Sequence, residues 1–230
     1  MGLALTTKGE YDKALENYER TLEIDLKSLP SNHPSLATTY NNMGSALNAK
    51  GEYDKALENY ERALQIQLRS LPSNHPSIAT TYNNAGLALT AKGKYDKALE
   101  NYERALEIQL KSLPSNHPSL ATTYNNMGSA LNAKGEYDKA LENYERALEI
   151  QLKSLPSNHP SLATTYNNTG FVHHEKGDYD KALDNYERAL EIQLKSLPSN
   201  QPSLALTYNN MGLALTTKGE YDKALENYER

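Results

Sequence analysis

The 230-residue sequence contains no cysteine, no tryptophan and a single phenylalanine, Phe171. Without cysteine there are no disulfides, no thiolate nucleophile and no Cys-ligated zinc, a pattern that fits a reducing compartment. No apolar run approaches the ~20 residues that a membrane-spanning helix needs, and no charged segment followed by an apolar stretch opens the chain. Excess positive charge is missing too: the formal net charge is −5, which gives no attraction to phosphate backbones or anionic lipids. A soluble, cytoplasmic protein is expected, with neither nucleic acid nor membrane as partner. There is no G-x-S-x-G, no Walker loop and no H-E-x-x-H. Paired carboxylates occur only within a pattern copied along the chain, so the reading is non-enzymatic, with no cofactor and no metal.

What is present is repetition. Gly9, Gly51, Gly93, Gly135, Gly177 and Gly219 each open a copy of a 42-residue unit, clearest from Gly51 to Lys92. Self-similarity at such a period is the mark of stacked repeats, in which each unit is stabilised mainly by its neighbours. The expected organisation is one array over residues 1–230 with a half-repeat at each end. Met1 to Thr6 matches an N-myristoylation pattern, but the same letters recur at Met211 to Thr216, as the repeat requires. Asn167-Asn168-Thr169 is formally a glycosylation sequon, placed within a predicted helix and set aside.

Each unit carries two helical patterns. Leu36, Ala37, Tyr40, Met43, Gly44 and Leu47 fall on one face of a helix A, and Tyr53, Ala56, Leu57, Tyr60, Ala63, Leu64 and Leu68 on one face of a helix B. Pro34 suits the first turn of helix A, with Asn32 and His33 near its cap. Gly51 supplies a left-handed stop, and Glu52 and Asp54 put negative charge at the start of helix B. Helices of about 16 to 19 residues are marginal alone, so packing must hold them. Gly44, inside helix A, costs about 1 kcal/mol relative to alanine; close approach of helix B through Ala56 is the expected reason.

Tyr40, Met43, Gly44, Leu47, Gly51, Tyr53, Ala56, Tyr60 and Ala63 stand at the spacings of the tetratricopeptide repeat signature, with tyrosine at the position where that family usually has tryptophan. The chain resembles that family throughout. Its longer unit, with the H-P-S-L-A-T-T-Y-N-N-M-G run, is similar to the repeats of kinesin light chains and nephrocystin-type proteins. The resemblance implies an all-α, right-handed superhelical solenoid of antiparallel helix pairs, with helices A lining a concave peptide-binding groove.

On helix A, positions 41, 45 and 48 share a face distinct from the packing stripe, and the resemblance makes this face the groove. Asparagine holds the first position: Asn41, Asn83, Asn125, Asn167 and Asn209. The second runs Leu3, Ser45, Leu87, Ser129, Phe171, Leu213, and the third Thr6, Asn48, Thr90, Asn132, His174, Thr216. One reading is a ladder of amides for a bound main chain, flanked by changing pockets; the other is a solvated face with neutral variation. Asn42 and its equivalents match an asparagine of relatives that clamp a C-terminal carboxylate, but the lysines and arginines of that clamp are missing, so acidic C-termini and acidic cargo are not implied. The most deviant unit has Thr169 and His173 in place of Met43 and Leu47, with Phe171, His174 and Glu175 on the groove side. It reads as a specificity pocket or as a degraded repeat. Recurring His33, His75, His117 and His159, with Gln201 in the last copy, are read as caps, since neighbours roughly 10 Å apart cannot share a metal. Glu58 and Arg62 are expected to pair on a solvated face.

Two functions follow. The first is a scaffold that binds a peptide or partner protein in the groove. The second is a self-assembling array, joined head to tail through ends that carry no polar capping helix, whether recently duplicated or consensus-like in design. Residues 1–20 and 211–230 are identical.

Overall fold

The computed structural model describes residues 10–196, 198 and 201–229. The expected half helix Gly2–Lys8, Leu3, Thr6 and the Met1–Thr6 motif lie outside the described residues. Regular structure among the described residues is entirely helical: α1 (Tyr11–Ser28), α2 (Pro34–Ala49), α3 (Tyr53–Ser70), α4 (Pro76–Ala91), α5 (Tyr95–Ser112), α6 (Pro118–Ala133), α7 (Tyr137–Ser154), α8 (Pro160–Glu175), α9 (Tyr179–Ser196), α10 (Pro202–Lys218) and α11 (Tyr221–Tyr228). Even-numbered helices are the A type. The odd-numbered ones are the B type.

The chain forms two compact units, residues 1–114 and 115–230. In the first, α2 pairs with α3 and α4 with α5, while α1 packs on α2, α3 on α4, and α2 touches α4. In the second, α6 pairs with α7, α8 with α9 and α10 with α11; α7 packs on α8, α9 on α10, and the A helices α6, α8 and α10 meet in sequence order.

Local chemistry sets the boundaries. Pro34, Pro76, Pro118, Pro160 and Pro202 each begin an A helix, where a missing N–H costs nothing. The Nδ1 atoms of His33, His75, His117 and His159 accept from the backbone N–H two residues on, at 3.3, 3.2, 3.2 and 3.2 Å. Gln201 makes no such bond. At the other end Gly51 takes φ 84°, and the Glu52 N–H returns to the Leu47 carbonyl at 2.8 Å, closing the helix in the manner of a left-handed glycine stop.

Tyr60, Tyr102, Tyr144 and Tyr186 are at most 2% exposed, and full burial of a ring of this size stabilises by about 3 kcal/mol. They explain the helical glycines. A Cβ on Gly44 would stand 2.5 Å from Tyr60 Cε1, and one on Gly86 2.4 Å from Tyr102 Cε1. The tyrosine ring, not the small side chain of Ala56, demands the glycine.

Two further expectations are corrected. Leu68 lies outside the core at 54% exposed, as do Leu26, Leu110, Leu152 and Leu194, while Gln67 beside it is buried. The amide is inside because it has a partner: Gln67 Nε2 donates to the Ser77 carbonyl at 3.4 Å and Gln193 Nε2 to that of Ser203 at 3.3 Å, tying α3 to the start of α4 and α9 to the start of α10. Arg62 does not pair with Glu58 but lies 5.7 Å from the Tyr40 ring centroid, and Arg104, Arg146 and Arg188 repeat this over Tyr82, Tyr124 and Tyr166 at 5.8 Å. In α1 the corresponding Arg20 does bind Glu16, at 2.9 Å.

Candidate functional site

The candidate stripe positions lie on α2 and α4 in the first unit and on α6, α8 and α10 in the second. At the first position Asn41, Asn125 and Asn167 are half-buried, Asn83 is buried and Asn209 is exposed. The amides of Asn41, Asn125 and Asn167 join neighbouring helices. Asn125 Nδ2 donates to Thr165 Oγ1 on α8 at 2.8 Å, and Thr165 Oγ1 donates to Gln151 Oε1 on α7 at 2.9 Å. Asn167, Thr207 and Gln193 repeat the relay with two 2.8 Å bonds. In the first unit Asn41 Oδ1 accepts from Asn84 Nδ2 on α4 at 3.1 Å. Much of the amide row therefore holds one A helix to the next.

The second and third positions are linked through the buried tyrosine of the same pair. Where they are Ser45 and Asn48, the Tyr60 hydroxyl donates to Ser45 Oγ at 3.4 Å. Where they are Leu87 and Thr90, Tyr102 and Thr90 share a hydrogen bond at 3.2 Å. Ser129 meets Tyr144 at 3.1 Å, and Thr216 meets Tyr228 at 3.4 Å. One of the two positions supplies a hydroxyl in each case. Burial pushes the Tyr60, Tyr102 and Tyr144 hydroxyls up to about 12 against the opposing effect of these bonds, so they stay neutral. When the third position carries the hydroxyl, the second is released for a side chain the core does not use: Leu87 is 40% and Leu213 43% exposed.

The α8–α9 pair breaks the pattern. Phe171 and His174 offer no hydroxyl, and the Tyr186 hydroxyl has no hydrogen-bond partner among the described residues; burial, then the nearby Glu175 carboxylate, raises it. Phe171 is 39% exposed. His174 is largely covered: its ring lies 5.5 Å from that of Tyr179 and its Nδ1 3.5 Å from Glu175 Oε1. His173 occupies a core position, with Nδ1 3.5 Å from Asp178 Oδ2. Burial pulls the His173 imidazole below the usual histidine range, outweighing the attraction of Asp178. Sequence reasoning missed the Ser-or-Thr rule, although its trace was visible in the pairing of Ser with Asn and of Leu with Thr.

Helix pairs of this kind, each completed by its neighbour and presenting one variable stripe, define a helical-repeat protein of the scaffold class. The sequence model described as tetratricopeptide repeat matches residues 1–69, 35–111, 119–195 and 161–230. The chain belongs to the tetratricopeptide repeat family, whose members are generally non-enzymatic scaffolds for protein–protein interaction. Among solved structures it is similar to the nearly identical TPR-like repeats of a kinesin-light-chain-type protein from Podosopora anserina, at 29% identity, over 86% of this chain and 93% of that one, with a TM-score of 0.73. BtubC (BKLC) from P. vanneervenii has the same fold at 24% identity, over 96% and 86% of the two chains, with a TM-score of 0.77. No curated protein sequence matches the chain. No described helix is long and apolar enough to cross a membrane.

Proposed function

We propose that the chain binds an extended or helical segment of a partner protein on the A-helix stripe of the second unit, with Phe171 and Leu213 as apolar anchors; Leu87 holds the same repeat position in the first unit. The observation that carries this reading is that these three side chains stand 39%, 43% and 40% exposed at one repeat position, while Thr90 and Thr216 beside Leu87 and Leu213 meet the buried tyrosines. An exposed apolar residue flanked by polar groups suits a partner's apolar side chain. The test is a peptide-library profile of the wild type against Phe171→Ser/His174→Asn, which installs the residues found at Ser129 and Asn132 and so leaves the fold intact. Altered selectivity supports the reading. Unchanged selectivity removes Phe171 and His174 from the site.

A second reading is self-association through the uncovered face of α11. Tyr221, Leu225 and Tyr228 are 68%, 59% and 48% exposed, whereas Tyr186, the interior counterpart of Tyr228, is 1% exposed beneath α10. Sedimentation of the 230-residue chain as a function of concentration tests it. Mass growth abolished by Tyr221→Lys/Leu225→Lys supports association; a constant monomer mass excludes it.

A further inference from the structure

We propose that a crevice between successive B helices, apart from the A-helix stripe, docks arginine side chains of a basic peptide. In the first unit α1, the end of α2 and the start of α3 border an open crevice of about 400 Å³ with Leu15, Met43 and Leu47 among its lining residues. In the second, α9, α10 and α11 border one of about 340 Å³ lined by the counterparts Leu183, Met211 and Leu215. Both reach the lower range of volumes that hold small ligands.

The rims are acidic in an uneven way. At one end the lysines are already satisfied: Lys50 contacts Asp12 at 2.6 Å and Glu52 at 2.8 Å, and Lys55 contacts Glu52 at 2.6 Å. Lys218 repeats this with Asp180 and Glu220 at 2.6 and 2.7 Å, and Lys223 with Glu220 at 2.7 Å. Hydrogen bonds from these lysines hold the Glu52 and Glu220 carboxyls down to about 2, so that end stays locked at neutral pH. Elsewhere in the lining, Glu19 and Glu58 in the first crevice and Glu187 and Glu226 in the second have no cationic partner among the described residues. Each crevice thus combines apolar wall with uncompensated negative charge. Arginine matches both: its methylene stem buries on Met and Leu, and its planar head pairs with carboxylates.

The third repeat keeps the same residue types, with Leu99, Met127, Leu131, Glu103 and Glu142, whereas two others carry only part of this chemistry. Lys94 replaces the glutamate found at Glu52 and Glu220, and Thr169 and His173 replace the apolar Met43 and Leu47.

The probe is a fluorescein-labelled peptide with four arginines separated by Gly-Ser, followed by anisotropy. Its control replaces each arginine with 2-amino-3-guanidinopropionate, which keeps the charge and shortens the stem. The expected results are saturable binding of the arginine peptide and about fivefold weaker binding of the control, from lost methylene burial. Glu19→Gln/Glu58→Gln/Glu187→Gln/Glu226→Gln should bind about tenfold more weakly, with unchanged helicity by circular dichroism. Phe171→Ser/His174→Asn should bind the arginine peptide as the wild type does, which keeps this site separate from the A-helix reading. No saturable binding, equal affinity for the two peptides, or indifference to the four substitutions overturns the proposal.

Discussion

The α4–α5 and α8–α9 pairs place the same backbone positions under different side chains. In the first, Tyr102 meets Thr90, Leu89 is buried and Leu87 stands free. In the second, Tyr186 has lost its hydroxyl partner, His173 takes the place of Leu89, and Phe171 takes the place of Leu87. Both rings are nonetheless buried, at 0% and 1% exposed. The difference teaches that the repeat separates two demands: ring against glycine makes the pair, whereas the hydroxyl tunes it. The second unit gives up part of the tuning around Phe171, the residue proposed to meet a partner.

Removing the ring should erase the contrast. Tyr102→Ala and Tyr186→Ala should each cost about 3–5 kcal/mol in denaturant unfolding, because both leave a cavity against a helical glycine. A markedly cheaper Tyr186→Ala would mean that the second pair is not packed like the first. Gly86→Ala, which drives a Cβ to within 2.4 Å of Tyr102 Cε1, should cost about 1–3 kcal/mol, even though alanine is the better helix former. A stabilised variant would show that the ring yields freely.

Removing only the hydroxyl should sharpen the contrast. Tyr102→Phe should lose about 1 kcal/mol through its bond to Thr90, and Tyr186→Phe close to nothing. Equal losses would contradict the account. The two pairs should also part with pH. His173 is held below the ordinary histidine range, so between its lowered folded value and the ordinary one the unfolded chain binds more protons than the folded one. Its contribution is therefore fully present above the unfolded histidine value of about 6.5 and falls away as the solution is acidified from there through the lowered folded value. The sign is the same if Lys176 and Lys181, which oppose protonation of His173, are counted with Asp178, which favours it. Comparing denaturation midpoints above and below this window should show a loss in the wild type and a smaller loss in His173→Leu, the residue found at Leu131.

Helix boundaries were legible from sequence because they depend on contacts within a few residues: Pro34, His33 and Gly51 act on their own backbone. The family was legible for the same reason, repeated over the chain. Leu68 was misplaced because its fate is decided elsewhere, by the Ser77 carbonyl that draws Gln67 inward. The reason for Gly44 lay in a ring sixteen positions away. The stripe positions were legible as variable, but their meaning was not, since Ser45 and Thr90 answer to tyrosines on the following helix. Periodicity finds which residues share a face; it does not find which atom across the interface needs a donor or an acceptor.

The central claim is that, outside the α8–α9 pair, the second and third stripe positions jointly supply one hydroxyl to the buried tyrosine, so that a threonine at the third releases the second. The most direct measurement compares the unfolding free energies of Thr90→Asn and Leu87→Ser/Thr90→Asn with that of the wild type. The single substitution should cost about 1 kcal/mol by stranding the Tyr102 hydroxyl, and the double one should recover nearly all of it, because serine restores the arrangement seen at Ser129 and Tyr144. A double variant no more stable than the single one would contradict the claim.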